Sequence, residues 1–138
     1  MDQPLSRMLL ESYRSVEEET VAALADRGEL GLSPSQAAAL LLVDRSGTRL
    51  TELAARAQIT KQAMMQVVDD LETAGSVRRV PDPTDARAKV VRLTARGLRQ
   101  RAEARKAISA VEARTRRRLG ARRYDTLRET LVALLQPD

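Results

Sequence analysis

Apolar side chains recur along this chain at helical spacing, break off, and give way once to the denser alternation of strands. Leu5, Met8, Leu9 and Leu10, then Tyr13, Val16, Val21, Ala22 and Leu24, form a broad stripe over residues 4–27. The polar run Glu17–Glu19 interrupts it as a solvated face, and Gly28 and Gly31 mark its stop. Leu32-Ser33-Pro34-Ser35-Gln36 reads as a helix start. Ser33 can cap, Pro34 suits the first helical position, and Gln36 stands where a capping box needs it. The turns that follow, Ala37 to Asp44, are apolar nearly all round, which predicts a buried, central helix ended by Ser46-Gly47. Thr48-Arg49-Leu50 is expected to form one short strand.

The chain is organised around Leu50 to Thr94. Thr51 is expected to cap a short helix with Leu53, Ala54 and Ala57 inward. Thr60 caps the next, with Ile59 and Met64 placed as a hydrophobic staple across its start. Ala63, Met64, Val67, Val68 and Leu71 make the expected buried face of that helix. Lys61, Gln62, Met65, Gln66, Asp69, Asp70 and Glu72 face out. Gly75 ends it as a left-handed C-cap. Val77–Val80 and Val90–Leu93 are two strand-like runs, and the loop between them carries Pro81 and Pro83, which do not fit a central strand. Two helices, the second closed by glycine, then a hairpin, is the layout of a winged helix-turn-helix. Thr94 starts another helix, with Leu93 and Leu98 as its staple. It runs to about Leu119 with sparse apolar positions at Leu98, Ala102, Ile108, Val111 and Leu119, and Gly120 allows a bend. Tyr124, Leu127, Leu131, Leu134 and Leu135 give a last helix. The expected fold is mainly α with a small β-hairpin wing (α+β), in one domain over 1–138. Residues 32–94 form the winged part, and 4–28 with 95–136 form dimerisation helices.

Composition narrows the function. A chain of 138 residues suits one domain with a real core. It has no Cys, so disulfides and thiol redox sensing are excluded. It has no His, the commonest metal ligand and general base. There is no phosphate-loop glycine pattern, and carboxylates such as Asp69-Asp70 sit on a helix surface where a solvated face is the ordinary explanation. No enzyme, metal site or cofactor is expected. The start, MDQPLSRMLLESYR, lacks the form of a secretory signal, and the longest strictly apolar run, Ala37–Val43, falls far short of a membrane span. A cytoplasmic protein with no membrane partner is the expectation. Two Tyr and no Phe or Trp leave little surface for stacking unpaired bases.

Charge is unevenly placed. The net charge of +5 hides a segment, residues 76–123, with 16 basic and 4 acidic side chains inside an otherwise acidic chain. Such a block points to a polyanion partner, with a solvated Arg-rich helix face as the competing explanation.

From Thr60 to Gly97 the sequence resembles the MarR family of bacterial transcription regulators. The carrying residues are TKQAM, VVDDLETAGSVRRV and PDPTDARAKVVRLTARG. The wing signature Asp82-Pro83-Thr84-Asp85-Ala86-Arg87 and the following Leu93-Thr94-x-x-Gly97 are its most specific parts, and the helix order extends the likeness over nearly the whole chain. The resemblance implies a repressor that binds duplex DNA as a homodimer and is released by a small aromatic or lipophilic acid. It also implies that the wing tip lies along the minor groove and inserts Arg87. Departures touch the reading residues. Gln66 stands where relatives commonly have Arg, Met65 where a small hydroxyl residue is frequent, and Thr84 and Ala86 where further Arg often occur.

The major groove admits a helix, and the one capped by Thr60 would enter N-terminus first, its free N–H groups suiting a phosphate. Lys61 is a candidate for phosphate or guanine. Gln62 and Gln66 carry the paired donor and acceptor that adenine requires, and Met65 an apolar contact for a thymine methyl. In the wing, Arg87 is the groove contact, Asp85 its orienting partner or a brace of the wing, and Lys89 and Arg79 candidate backbone contacts. An internal ion pair is the equal alternative for Arg79. Tyr13 and Arg14 are the effector-binding candidates. A helix of about 25 residues is about 37 Å long, more than so small a domain can cover on both sides, so the terminal helices are expected to pair two copies. The arginines Arg114, Arg116, Arg117, Arg118, Arg122 and Arg123 either pair with Glu17–Glu19 or Glu112 there or flank DNA. A winged-helix protein–protein module without sequence-specific DNA binding is the rival from another class.

Overall fold

The computed structural model describes residues 2–27 and 30–137. Its elements run α1 (Leu5–Ala25), α2 (Pro34–Leu42), α3 (Leu50–Ala57), α4 (Lys61–Thr73), β1 (Val77–Asp82), β2 (Asp85–Leu93), α5 (Ala95–Leu119) and α6 (Ala121–Leu135). Three helix starts are set by side chains. Ser33 Oγ accepts the Gln36 N–H while Gln36 Oε1 accepts the Ser33 N–H, closing a capping box. Thr60 Oγ1 accepts from the Ala63 N–H at 3.0 Å, and Thr94 Oγ1 from the Gly97 N–H at 3.1 Å. Gly75 follows α4 at φ +79°, the left-handed conformation that stops a helix.

Several boundaries differ from the sequence reading. The central helix ends at Leu42 with Val43 as its C-cap, ahead of Ser46-Gly47, because Asp44–Gly47 form a turn of their own. The strand expected over Thr48–Leu50 is a single bridge, in which Thr48 exchanges backbone hydrogen bonds with Val91, and Leu50 already begins α3. Arg49, with no side-chain cap, therefore holds the N-cap position expected for Thr51. Ala63 is exposed, since the face of α4 turned inward is Met64, Val68 and Leu71 with Val67 half-buried. Gly28 lies outside the described residues.

The strands pair antiparallel from Val77↔Leu93 to Pro81↔Lys89, with a register shift between Pro81 and Asp82. Both are longer than expected. A two-stranded sheet has only edge strands, so Pro81 fits within β1 without breaking an inner ladder.

Two apolar clusters form the interior. One gathers Leu40, Val43, Leu53, Met64, Val68, Leu71, Val77 and Val91 beneath α2, α3, α4 and the hairpin. The other gathers Ala23, Leu24, Leu30, Ala37, Ala104, Ala107 and Val111 where α1 and α2 meet α5, and Leu32 packs against both. The buried stripe of α5 is Gly97, Gln100, Ala104, Ala107 and Val111. Leu98 and Ala102, expected inside, are exposed. Small residues line this stripe because neighbouring backbone comes close. A side chain built on Gly97 would put Cβ 2.0 Å from the Ser76 carbonyl oxygen.

That close approach gives a direct test. Gly97→Ala is expected to destabilise the protein by about 1–3 kcal/mol through overpacking against main chain, read by urea unfolding at fixed protein concentration. Leu98→Ala, on the open side of the same turn, should change stability much less.

Candidate nucleic-acid interface

The N-terminal half of α4 projects from the fold. Lys61, Gln62, Met65 and Gln66 are placed along it, all exposed, and Thr60 uses its hydroxyl oxygen as a cap acceptor, leaving its O–H free to donate. Beside this ridge a cleft of about 320 Å³ is lined by Lys61 and Met65 from α4, Arg49 and Thr51 from the start of α3, and Arg79 and Lys89 from the hairpin. Two helix N-termini and several cationic side chains thus converge on one concavity, an arrangement suited to phosphate oxygens.

The far half of α4 is acidic, and two of its carboxylates are paired internally. Arg79 Nη2 donates to Asp69 Oδ1 at 2.6 Å and Nη1 to Glu72 Oε1 at 2.8 Å, while the Arg79 N–H donates to Glu72 Oε2. Of the two readings of Arg79, the internal ion pair is the one present. Asp70 accepts from Gln66 Nε2 at 3.0 Å, so Gln66 must give up that bond to present its amide to a base.

The hairpin tip is braced by two carboxylates. Asp85 Oδ1 accepts the Arg87 main-chain N–H at 3.0 Å and Arg87 Nε at 3.3 Å. The Arg87 side chain is otherwise 92% exposed. Asp82 accepts from the Thr84 N–H and hydroxyl, both at 2.8 Å, and from Arg49 Nε at 2.8 Å. These bonds, the Thr84 amide first, then its hydroxyl and Arg49, hold the Asp82 carboxyl at about 2, below its ordinary 3.8. Sequence reasoning named Asp82 only as part of the wing signature and missed Arg49. An Asp in a Pro-rich turn is the signal for the local brace; a partner 33 residues away leaves none.

The remaining candidates lie elsewhere. Tyr13 and Arg14 are exposed on α1. Tyr13 donates its hydroxyl to Glu17 at 2.9 Å, and that bond, with partial burial, raises the phenol above its ordinary 10. Tyr13 and Glu17 border a cavity of about 150 Å³ whose apolar wall includes Ala38, Ile59 and Met64; Arg14 does not reach it. In the arginine cluster, Arg118 pairs with Glu19 at 3.2 Å and Arg116 with Asp125, while Arg128 takes Glu112. Arg114, Arg117, Arg122 and Arg123 have no carboxylate within reach among the described residues. Among those residues, no helix is long and apolar enough to cross a membrane, and no His, Cys, Asp or Glu group is arranged to hold a metal ion.

The MarR family sequence profile matches residues 30–88. The HTH-type transcriptional repressor Rv2887 of Mycobacterium tuberculosis (strain ATCC 25618 / H37Rv) is 37% identical over 123 residues, 87% of this chain and 85% of the relative. The solved complex of Rv2887 with DNA superposes with a TM-score of 0.76 at 32% identity, covering 98% of this chain and 100% of that one. Its complex with salicylic acid gives 0.76 at 33% identity, over 96% and 97% of the chains. CouR from Rhodococcus jostii RHA1, bound to p-coumaroyl-CoA, gives 0.83 at 26% identity over 99% and 98%.

The wing brace has a pH signature. Because the folded pKa of Asp82 is depressed, its contribution is fully present above the unfolded value and is lost as pH falls through the folded one. Unfolding stability of the native protein should therefore drop between about pH 4 and pH 2 by an increment that Asp82→Asn lacks. Urea titrations stepped across that window compare the two.

Proposed function

The chain belongs to the MarR family of transcription regulators, and from that premise we propose that it is a repressor binding a pseudo-palindromic duplex operator as a homodimer in the cytoplasm. The observation that carries the proposal is the convergence of Lys61, Met65, Arg49 and Lys89 on one cleft beside an exposed helix start. In this reading residues 32–94 bind DNA, while 4–28 and 95–136 pair the two copies. The first two turns of α4 enter the major groove. Thr60 and Lys61 take phosphate, or Lys61 takes guanine, Gln62 and Gln66 address adenine, and Met65 meets a thymine methyl. Arg87 inserts in the minor groove, where a narrow A·T-rich stretch concentrates negative potential. Asp85 keeps Arg87 aimed, Lys89 contacts backbone, and Arg79 acts indirectly by offsetting part of the charge of Asp69 and Glu72.

A homodimer is supported by what a single chain leaves uncovered. Leu5, Met8 and Val16 on α1 and Leu127, Val132, Leu134 and Leu135 on α6 are all exposed large apolar residues. Two-fold pairing sets half-sites roughly 34 Å apart. The effector is a small aromatic or lipophilic acid, in keeping with the salicylic acid complex of the relative Rv2887. The proposed seat is the cavity beside Tyr13; Arg14, on the same helix but off that cavity's wall, takes no direct part in it.

Selection of bound sites from random duplex DNA tests the core of the proposal. The native protein should yield an inverted repeat with A·T-rich flanks. Arg87→Ala should weaken binding chiefly at those flanks, and an unchanged affinity and preference would remove the wing assignment. Lys61→Ala should weaken all sites and lower the salt slope by about 0.9 for each phosphate it no longer neutralises. Separately, Leu127→Glu with Leu134→Glu is expected to yield a monomer by sedimentation and to abolish operator binding at concentrations where the native protein is saturated.

A further inference from the structure

Most arginines around the winged part are matched to carboxylates: Arg49 to Asp82, Arg56 to Asp44 and Glu52, Arg79 to Asp69 and Glu72. One side of the molecule departs from this. Arg78 and Arg92 are direct cross-strand partners at the root of the hairpin, both exposed and on the same face. Like charges so placed destabilise a sheet unless something answers them. Arg101 and Arg105 repeat the situation at i, i+4 on α5, again an unfavourable like-charge spacing. The loop after α2 ties these two elements together. Thr48 bonds to Val91, the neighbour of Arg92, and the Val43 carbonyl accepts from Arg101 Nη1 at 3.2 Å. Arg45 sits in that loop, close enough to Arg101 that, after burial, Arg105 and then Arg45 lower the Arg101 pKa from its ordinary value. The nearest acid in sequence, Asp44, is already engaged by Arg56. None of the five has a carboxylate partner among the described residues.

We infer that Arg45, Arg78, Arg92, Arg101 and Arg105 form a second phosphate-binding surface, which takes the backbone of duplex DNA flanking the operator core. This rests on the DNA-binding reading above. The hairpin that carries Arg87 at its tip carries Arg78 and Arg92 at its root, so this surface belongs to the same unit that engages the duplex. Arg101 is pinned by Val43 and the other four are exposed, which gives one fixed guanidinium surrounded by adjustable ones. Such contacts lengthen the footprint and steepen the salt dependence without adding base preference.

The test uses the full-length protein with two duplexes: the selected operator core alone, and the same core extended on both sides by unrelated sequence. Fluorescence anisotropy across a salt series reads both affinity and slope. The native protein should bind the extended duplex more tightly and with a steeper slope. Arg45→Ala with Arg105→Ala, both on exposed side chains, should reduce that advantage, lower the slope by about 0.9 for each flanking phosphate left without its arginine, and leave core binding unchanged. Equal binding of both duplexes by the native protein, or an advantage undiminished by the double substitution, overturns the inference while leaving the regulator reading intact. Failure to bind either duplex overturns both. Arg92→Ala supplies an independent check from the hairpin side, with a smaller loss of the same kind.

Discussion

A helix that reads DNA must be held at the end that does not touch it. Here that hold is the joint between the end of α4 and the start of α5. Gly75 turns the chain in the left-handed region, and the Ser76 carbonyl then accepts from both the amide and the hydroxyl of Thr94. Ser76 Oγ donates to Gln100 Oε1, and Gln100 Nε2 donates to the Leu30 carbonyl, so one buried side chain joins the reading helix, the long helix and the α1–α2 connection. Ser76 is fully buried, and none of its polar atoms can lose a partner without the cost of an unmet hydrogen bond in a dry site. The absent side chain of Gly97 is what lets the two backbones meet there. The direction of α4 is thus fixed relative to α5, the helix that runs on to the scaffold. In a paired molecule the spacing of two reading helices is transmitted through this joint.

The charge pattern of α4 follows from the same geometry. Its outer end lies against β1, where Arg79 reaches back to Asp69 and Glu72. An acidic helix surface facing a polyanion would be repelled; here Arg79 engages two of the three carboxylates and offsets part of their charge. The helix therefore divides into a cationic, capped beginning and an acidic end whose charge Arg79 partly offsets. Only the beginning faces the cleft shared with Arg49, Thr51 and Lys89. The hairpin works alike: Asp82 and Asp85 commit their oxygens to turn amides and to arginines, so the tip is stiff and its one extended cation is Arg87.

What could be read from the sequence was whatever is encoded locally. Ser33, Thr60 and Thr94 as caps, Gly75 as a stop, the hairpin between Val77 and Leu93, and the outward face of α4 all depend on residues within a turn or two of one another. The errors have a common origin. Thr51 looked like a cap, yet the cap position falls earlier, at Arg49, because the Thr48–Val91 bridge sets the chain direction from outside the segment. Leu98 and Ala102 looked like the inner stripe of α5 because they are more apolar than Gly97 and Gln100. The stripe was chosen instead by proximity to Ser76 and α1, which favours small residues and one amide with two partners. Among residues of the candidate interface, the exposure of those on α4 and at the tip was accessible to sequence reasoning. Arg49, whose role requires Asp82, was not.

The two apolar clusters differ in substance, and this bears on how a regulator of this form responds. The winged part is closed by Leu, Met and Val side chains that bury large apolar areas. The cluster joining α1 to α5 is made largely of alanines, and burial energy scales with area. The scaffold of a lone chain is therefore the weaker half, while α1 and α6 keep their larger apolar residues outside. Association of two copies would bury those residues and supply what the thin cluster lacks. The cavity beside Tyr13 lies between these regimes, walled by α1 on one side and by Ile59 and Met64 of the reading unit on the other. A molecule seated there would act against the softer of the two cores. Moving α1 disturbs few large side chains, whereas moving α4 breaks the Ser76–Gln100 joint. The physical asymmetry thus favours a response in which α1 shifts while the winged unit stays locked to the start of α5.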